Sequence, residues 1–275
     1  MIIQLKTING IKVQCTDTES RILCQDDIIT YKILDRSLHE MKNVILNSKL
    51  LYPNLFYTEY CHIYKKLHED IFKENNIRHD ITIMSGNYVG IEFMKTYGHY
   101  YDLLNSNYYS APEIIEILHG TAFILLQKPK IISRKFALGQ NIEDISDFSS
   151  ITNVYIIKLN KGNALLIPPN YGRTIINQKS TALVYTTLKS VKARPLYQHI
   201  LKYKGAAYYI IKKNAKQVFV QNPNYKINAK IKQVKKWPYS NLLEQKMPLY
   251  NSFISDPKKY DWLNNPESVD WEKFA

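Results

Sequence analysis

APEIIEILHGTAFILLQKP (residues 111–129) and VYIIKLNKGNALLIPPNYGRTIIN (residues 154–177) carry the punctuation that decides the fold. Each consists of short runs rich in Ile, Val, Leu and Tyr, broken at a glycine. Glu113 is followed after six residues by Gly120. Gly162 is followed after five by Pro168, and Arg173 precedes Asn177 by four positions. A glycine between two short apolar runs supplies the positive φ that a tight reversal needs, so both stretches read as strand–turn–strand.

Outward from these stretches, ITIM (81–84), GIEFMKTYG (90–98), TALVYTTL (181–188), AAYYIIKK (206–213) and KQVFVQ (216–221) have the same texture. Many short strands close together, with Gly and Pro between them, predict a mainly β antiparallel sandwich or barrel rather than a βαβ sheet. Residues 1–35 alternate weakly and read as a strand-rich lead-in. Ser37 with Glu40 three residues on makes a capping box, so a helix is expected to start there. A second helix is expected over Leu55 to Glu74, with Phe56, Tyr60, Ile63, Leu67 and Ile71 on its buried face. The tail carries Trp237, Tyr250, Phe253, Tyr260, Trp262 and Trp271. So many aromatics require burial, so it is expected to pack as short helices. The expected organisation is a lead-in over 1–79, a barrel over 80–225 and an aromatic extension over 226–275.

The 275 residues are 45% hydrophobic and 22% charged, which excludes a disordered chain. No run approaches the ~18 apolar residues of a membrane span. The first residues lack a basic segment followed by an apolar one, so no secretory leader and no membrane partner are expected. Cys15, Cys24 and Cys61 form no CxxC pair, and Cys61-His62 has no second ligand pair at zinc spacing. A reducing, cytoplasmic setting is the expectation. Net charge is +13, and residues 148–243 hold 17 basic and no acidic residues. Such a field favours phosphorylated ligands, although Lys-rich composition alone would also produce it. The lysines are scattered singly through strand-like sequence, so a nucleic-acid partner is not expected. There is no GxxxxGK or GxGxxG.

The glycine and proline spacings around Glu113 and Arg173 are those of the two cupin motifs, whose metal ligands converge inside a small double-stranded β-helix (jelly-roll) barrel. More narrowly, KTYGHYY (95–101), followed by the two stretches quoted first, resembles the cupin-type (archaeal-type) glucose-6-phosphate isomerase family. RSLHEMKNVI (36–45), HDITIMSGNYVGIEFMKT (79–96), PLYQHILKYKGAAYYIIKKN (195–214) and VFVQNPNY (218–225) continue the likeness. The resemblance implies a cupin barrel with an α-helical N-terminal embellishment, a homodimer, and a phosphorylated sugar as ligand.

It also implies a site. The family's first histidine and its glutamate, which bind a divalent metal (Fe, Mn, Ni or Zn), match His99 and Glu113. The second and third histidines match Tyr101 and Arg173. A phenol is a poor ligand at neutral pH and a guanidinium cannot ligate, so weak or no metal binding is expected. The family's phosphate cradle matches Thr82, Thr96, Gly98 and Tyr197. The implied activity is an aldose–ketose isomerisation of glucose 6-phosphate and fructose 6-phosphate. Glu113 would move the proton through a cis-enediolate, and His99 with Arg173 would stabilise the oxyanion. Arg173 would meet Glu113 and supply the charge a metal would have supplied. The alternatives are a non-catalytic sugar-phosphate or nucleotide-sugar binding cupin and, third, a polyanion-binding protein using the basic face.

Overall fold

At Gly120, and again at Gly162, the chain changes sheets. The computed structural model describes residues 2–8, 11–16, 21–23, 27–86, 88–104, 108–131, 134–136, 142–144, 146–239, 243 and 247–274; Cys24 and the side chain of Cys15 lie outside this description. One antiparallel sheet runs, in spatial order, Ala164–Ile167, Glu113–His119, Leu183–Ser190, Ile77–Met84, Leu55–Cys61 and Lys32–Ser37. The second runs Gly172–Asn177, Thr121–Ile131 and Asp147–Asn160, with Ile227–Asn228 and Ile231–Val234 added in parallel to the last. Glu113–His119 lies in the first sheet and Thr121–Ile131 in the second. The turn between them needs Gly120, with φ +86°, where a Cβ would sit 2.9 Å from the Ala182 carbonyl oxygen. Gly162, with φ +80°, returns the chain to the first sheet. Two facing sheets laced in this way form the cupin double-stranded β-helix.

Strand periodicity sorts the side chains. Ile117, Ile124, Leu126 and Leu183 are all fully buried in one continuous core. Every residue of Leu183–Ser190 is buried, so that strand has cover on both sides. The outer cover is the C-terminal segment. It folds as a helix, Leu249–Ser255, followed by 3-10 turns at Pro257–Leu263, Pro266–Ser268 and Trp271–Phe274. The Phe253 ring lies 4.7 Å from Phe72, and Tyr250 lies 5.0 Å from His79. The Trp237 indole N–H donates to the Leu166 carbonyl at 2.7 Å, and the Glu116 carboxylate accepts the Leu249 N–H at 2.9 Å. Burying the indole with its N–H satisfied avoids the cost of an orphaned donor.

The capping box forms. Ser37 N donates to Glu40 Oε2 at 2.9 Å, and the Ser37 hydroxyl caps Glu40 N, but the helix is only Leu38–Met41. The long helix expected over Leu55–Glu74 does not form. Leu55–Cys61 is a strand, and only Glu69–Glu74 is α-helical. The four-residue step from Phe56 to Tyr60 is an even number, so it also fits one face of a strand. The helical steps fail at Leu67, which is 70% exposed. Two paired neighbours decide the matter, because Leu55–Cys61 is hydrogen-bonded to Lys32–Ser37 on one side and Ile77–Met84 on the other. Tertiary pairing outweighs a local period that both structures share.

Candidate active site

Glu113 opens its strand directly after Pro112 and faces into the barrel, 3% exposed. Arg173, also 3% exposed, reaches it from the opposite sheet, with Nη2 2.7 Å from Glu113 Oε2. His99 stands beside Arg173 in a two-way backbone bridge, His99 N to Arg173 O at 3.2 Å and Arg173 N to His99 O at 3.1 Å. The Tyr101 hydroxyl donates to Glu113 Oε1 at 3.0 Å, and its ring lies 3.5 Å below the Arg173 guanidinium carbon. The strand alternation and that single backbone bridge thus bring the matched residues to one point.

Lys189 completes the carboxylate's surroundings. It is paired with Glu113 across the sheet, and its ammonium lies 3.3 Å from Glu113 Oε1, 2.8 Å from Asp80 Oδ2 and 3.1 Å from the Thr187 hydroxyl. Beyond it, Arg78 donates through Nε to both Asp80 oxygens at 2.9 and 2.7 Å, and through Nη2 to Glu59 at 3.3 Å and Cys61 Sγ at 3.5 Å.

These neighbours set the protonation states. Burial by itself would raise the Glu113 pKa, but Arg173, Lys189 and the Tyr101 hydroxyl outweigh it and hold the carboxylate ionised. Burial would strip Lys189 of its proton, yet the Asp80 and Glu113 carboxylates keep it charged, well above its ordinary range. Burial, then the charges of Arg173 and Lys189, push His99 well below its usual value, so its imidazole is neutral. The Tyr101 phenol is pushed up by burial and stays protonated. Burial, followed by Glu59 and Asp80, pushes the Cys61 thiol up to about 12.

The four positions matched to the family's ligands therefore do not suit a divalent metal. Arg173 stands against one oxygen of Glu113, Tyr101 and Lys189 against the other, and only His99 offers a neutral lone pair. Glu59, Cys61 and Asp80 are the one group of acid and thiol ligands among the described residues that lie within 4.8 Å of one another. Arg78 donates to all three. One feature of the first cluster stands apart. Arg173 Nη2 approaches Glu113 as an ion pair, out of line for a hydrogen bond, and neither Nη2 nor Nε has a hydrogen-bond partner. Buried guanidinium donors are rarely left unmade, so this edge is open to an acceptor in the adjoining cavity, water included.

Glu113, His99, Arg173, Thr82, Thr96 and Tyr197 line one cavity. It offers about 40 Å³ to water-sized occupants, room for two or three waters, so a sugar phosphate requires the mouth to open. Thr96 Oγ1 accepts from Ile175 N at 3.0 Å, which leaves its O–H to donate. Tyr197 precedes the helix Gln198–Lys202, with its ring 5.4 Å from His99. Gly98 stands apart from this lining. Its φ is +81°, and a Cβ there would lie 2.4 Å from Thr174 Oγ1, so its matched position serves close backbone packing. Sequence reading missed Lys189, Asp80, Glu59 and Tyr57. Their signal is parity: Tyr57 and Glu59, Asp80 and Thr82, and Thr187 and Lys189 all stand on the inner face of three paired strands.

Fold and site together define a cupin whose barrel interior holds a cluster of buried, oppositely charged side chains. The family is fixed by its own signature: the glucose-6-phosphate isomerase family model matches residues 51–228, well over half of the chain, and the chain belongs to that family. No curated protein matches the chain significantly. Among solved structures, vicilin from Solanum melongena is 11% identical over 54% of this chain and 32% of its own, with a TM-score of 0.32. Vicilin from Corylus avellana (hazelnut) is 12% identical over 52% of this chain and 30% of its own, with a TM-score of 0.31. Fe(II)-HppE with an alternative substrate, (S)-1-HPP, is 9% identical over 48% of this chain and 49% of its own, with a TM-score of 0.27. The chain thus spans about a third of the length of the vicilins it matches. Among the described residues, no helix is long and apolar enough to cross a membrane.

Proposed function

We propose that the protein interconverts the aldose and ketose forms of a phosphorylated hexose, glucose 6-phosphate and fructose 6-phosphate being the leading pair. Glu113 takes the proton from C2 of the aldose as the carbonyl at C1 becomes the enediolate oxygen. It returns that proton to C1 as the carbonyl reforms at C2. Neutral His99 carries the hydroxyl proton between O2 and O1. Arg173 donates from its unpartnered edge to the oxygen on which charge develops, the task a metal would otherwise perform.

A carboxylate held ionised by two cations is a weak base, and the same geometry offers the remedy. When a substrate oxygen engages Nε and Nη2, Arg173 shares its charge between that oxygen and Glu113. The base gains strength at the moment it is needed. The single observation behind this reading is the buried, unpartnered Arg173 edge beside Glu113. Thr82, Thr96 and Tyr197 supply neutral donors for the phosphate.

A coupled assay of fructose 6-phosphate formation tests it. Wild type turns over in the presence of a chelator, and Glu113→Gln loses about 10²–10⁴-fold in kcat while still binding the sugar phosphate. An inactive wild type, or an active Glu113→Gln, sinks the reading.

A further inference from the structure

Arg36 belongs to none of the matched positions of the site. It lies on the edge strand Lys32–Ser37, directly opposite Tyr57 in the register. Its guanidinium carbon is 5.6 Å from the Tyr97 ring centroid and 5.3 Å from that of Tyr197, two rings that themselves meet edge to face at 5.4 Å, so it rests beside an aromatic pair. Tyr57 and Tyr197 both line the cavity that holds Glu113. Arg36 therefore adjoins two of the residues that line the cavity.

Its partnership differs from that of the inner cations. Arg173, Lys189 and Arg78 each stand within 3.3 Å of a buried or half-buried carboxylate inside the barrel. Arg36 has its acid on the outside: Nη1 meets Glu40 Oε1 at 2.8 Å, and the Glu40 side chain is 41% exposed. The other Glu40 oxygen is engaged by Ser37, so the capping box anchors the carboxylate, and the carboxylate anchors one corner of the guanidinium. The rest of the guanidinium lies towards Tyr57, Tyr97 and Tyr197.

We propose that Arg36 receives the dianionic end of the sugar phosphate and restricts the site to phosphorylated ligands. The proposal rests on the reading of this cavity as a sugar-phosphate site and adds the residue that makes the phosphate obligatory. Neutral hydroxyls such as Thr82 and Thr96 bind a phosphate oxygen and a sugar hydroxyl in much the same way. A guanidinium resting against aromatic rings is weakly hydrated and presents its N–H donors as a planar fork, a geometry that matches two phosphate oxygens and no single hydroxyl. Glu40 and the two rings fix its plane before the ligand arrives, which lowers the ordering cost of binding.

Titration calorimetry with inorganic phosphate and with fructose 6-phosphate, on wild type, Arg36→Met and Arg36→Lys, decides it. Arg36→Met keeps an apolar stem against the tyrosines and removes the fork. It is expected to weaken both ligands by about 10- to 100-fold at an unchanged thermal midpoint, with Arg36→Lys in between. Should Arg36→Met fail to fold, Arg36→Lys serves alone, with a measurable loss of phosphate affinity expected because a point charge replaces a fork. Equal affinities in wild type and variants overturn the assignment, as does a wild type that binds neither ligand. Tight binding without turnover would remove the isomerase reading and keep Arg36 in place. Turnover with the same KM in Arg36→Met would do the opposite.

Discussion

Arg78 and Arg173 both reach into clusters of buried carboxylates, and the difference between them separates a structural cation from a functional one. Arg78 Nε is shared by both Asp80 oxygens, and its Nη2 is taken by Glu59 and Cys61. Arg173 is just as buried as the carboxylate it faces, but it leaves Nε and Nη2 without hydrogen bonds. A guanidinium whose Nε and Nη2 are both met by the chain has nothing left on that edge to offer a ligand. One that is only neutralised, and not fully hydrogen-bonded, carries a defect that a ligand can repair. Lys189 bridges the two clusters through Asp80 and Glu113, so the contrast exists within one network of alternating charge.

Three substitutions probe this contrast. The largest effect is expected at Arg78. Arg78→Met leaves Asp80 and Glu59 buried with Lys189 as their remaining cation, and breaking such a pair costs about 3–5 kcal/mol. Chemical denaturation should show that loss with an unchanged m-value. A drop under 1 kcal/mol would mean that Arg78 does not hold the Asp80–Glu59 cluster together. Arg173→Met is expected to reverse the pattern. Its stability stays closer to wild type, because Lys189 and Tyr101 still hold Glu113, while kcat falls about 10²–10³-fold, the usual cost of one oxyanion donor. An Arg173→Met protein that unfolds readily yet turns over normally would show that the two arginines have exchanged roles.

The smallest effect concerns pH. His99 is held neutral, with a folded pKa below its unfolded value of about 6.5. Its contribution to stability is therefore complete above that unfolded value and is lost as pH falls towards the folded one. Glu113, whose pKa is also lowered, adds a second loss in more acid solution, below the unfolded carboxylate value of about 4.3. Thermal midpoints recorded from pH 7 to pH 5 should fall in wild type and fall less steeply in His99→Gln. Parallel slopes would show that His99 does not carry the acid limb.

Much of the barrel was legible because its decisive signals are local. Gly120 and Gly162 need their positive φ whatever surrounds them, and Glu113 and Arg173 are placed by counting from those turns. What was hidden depends on pairing between distant strands. Lys189 reads as one more lysine in a lysine-rich segment until Leu183–Ser190 is set between Glu113–His119 and Ile77–Met84. Only then do Glu113, Asp80 and Arg78 appear beside it. Leu55–Cys61 misled for the same reason, since its partners lie about twenty residues away on each side. Arg36 was hidden by its exposed glutamate, because Arg36 and Glu40 at i and i+4 look like an ordinary surface ion pair.

The lacing of the barrel bears on how the molecule comes apart. Because the polypeptide hops between the facing layers at Gly120 and hops back at Gly162, neither layer can detach while the other persists. Separation of the two layers on unfolding must then coincide with collapse of the whole barrel. A heated or denaturant-treated sample should accordingly contain intact barrels and unravelled chains, with no population of half-opened molecules that keep one layer.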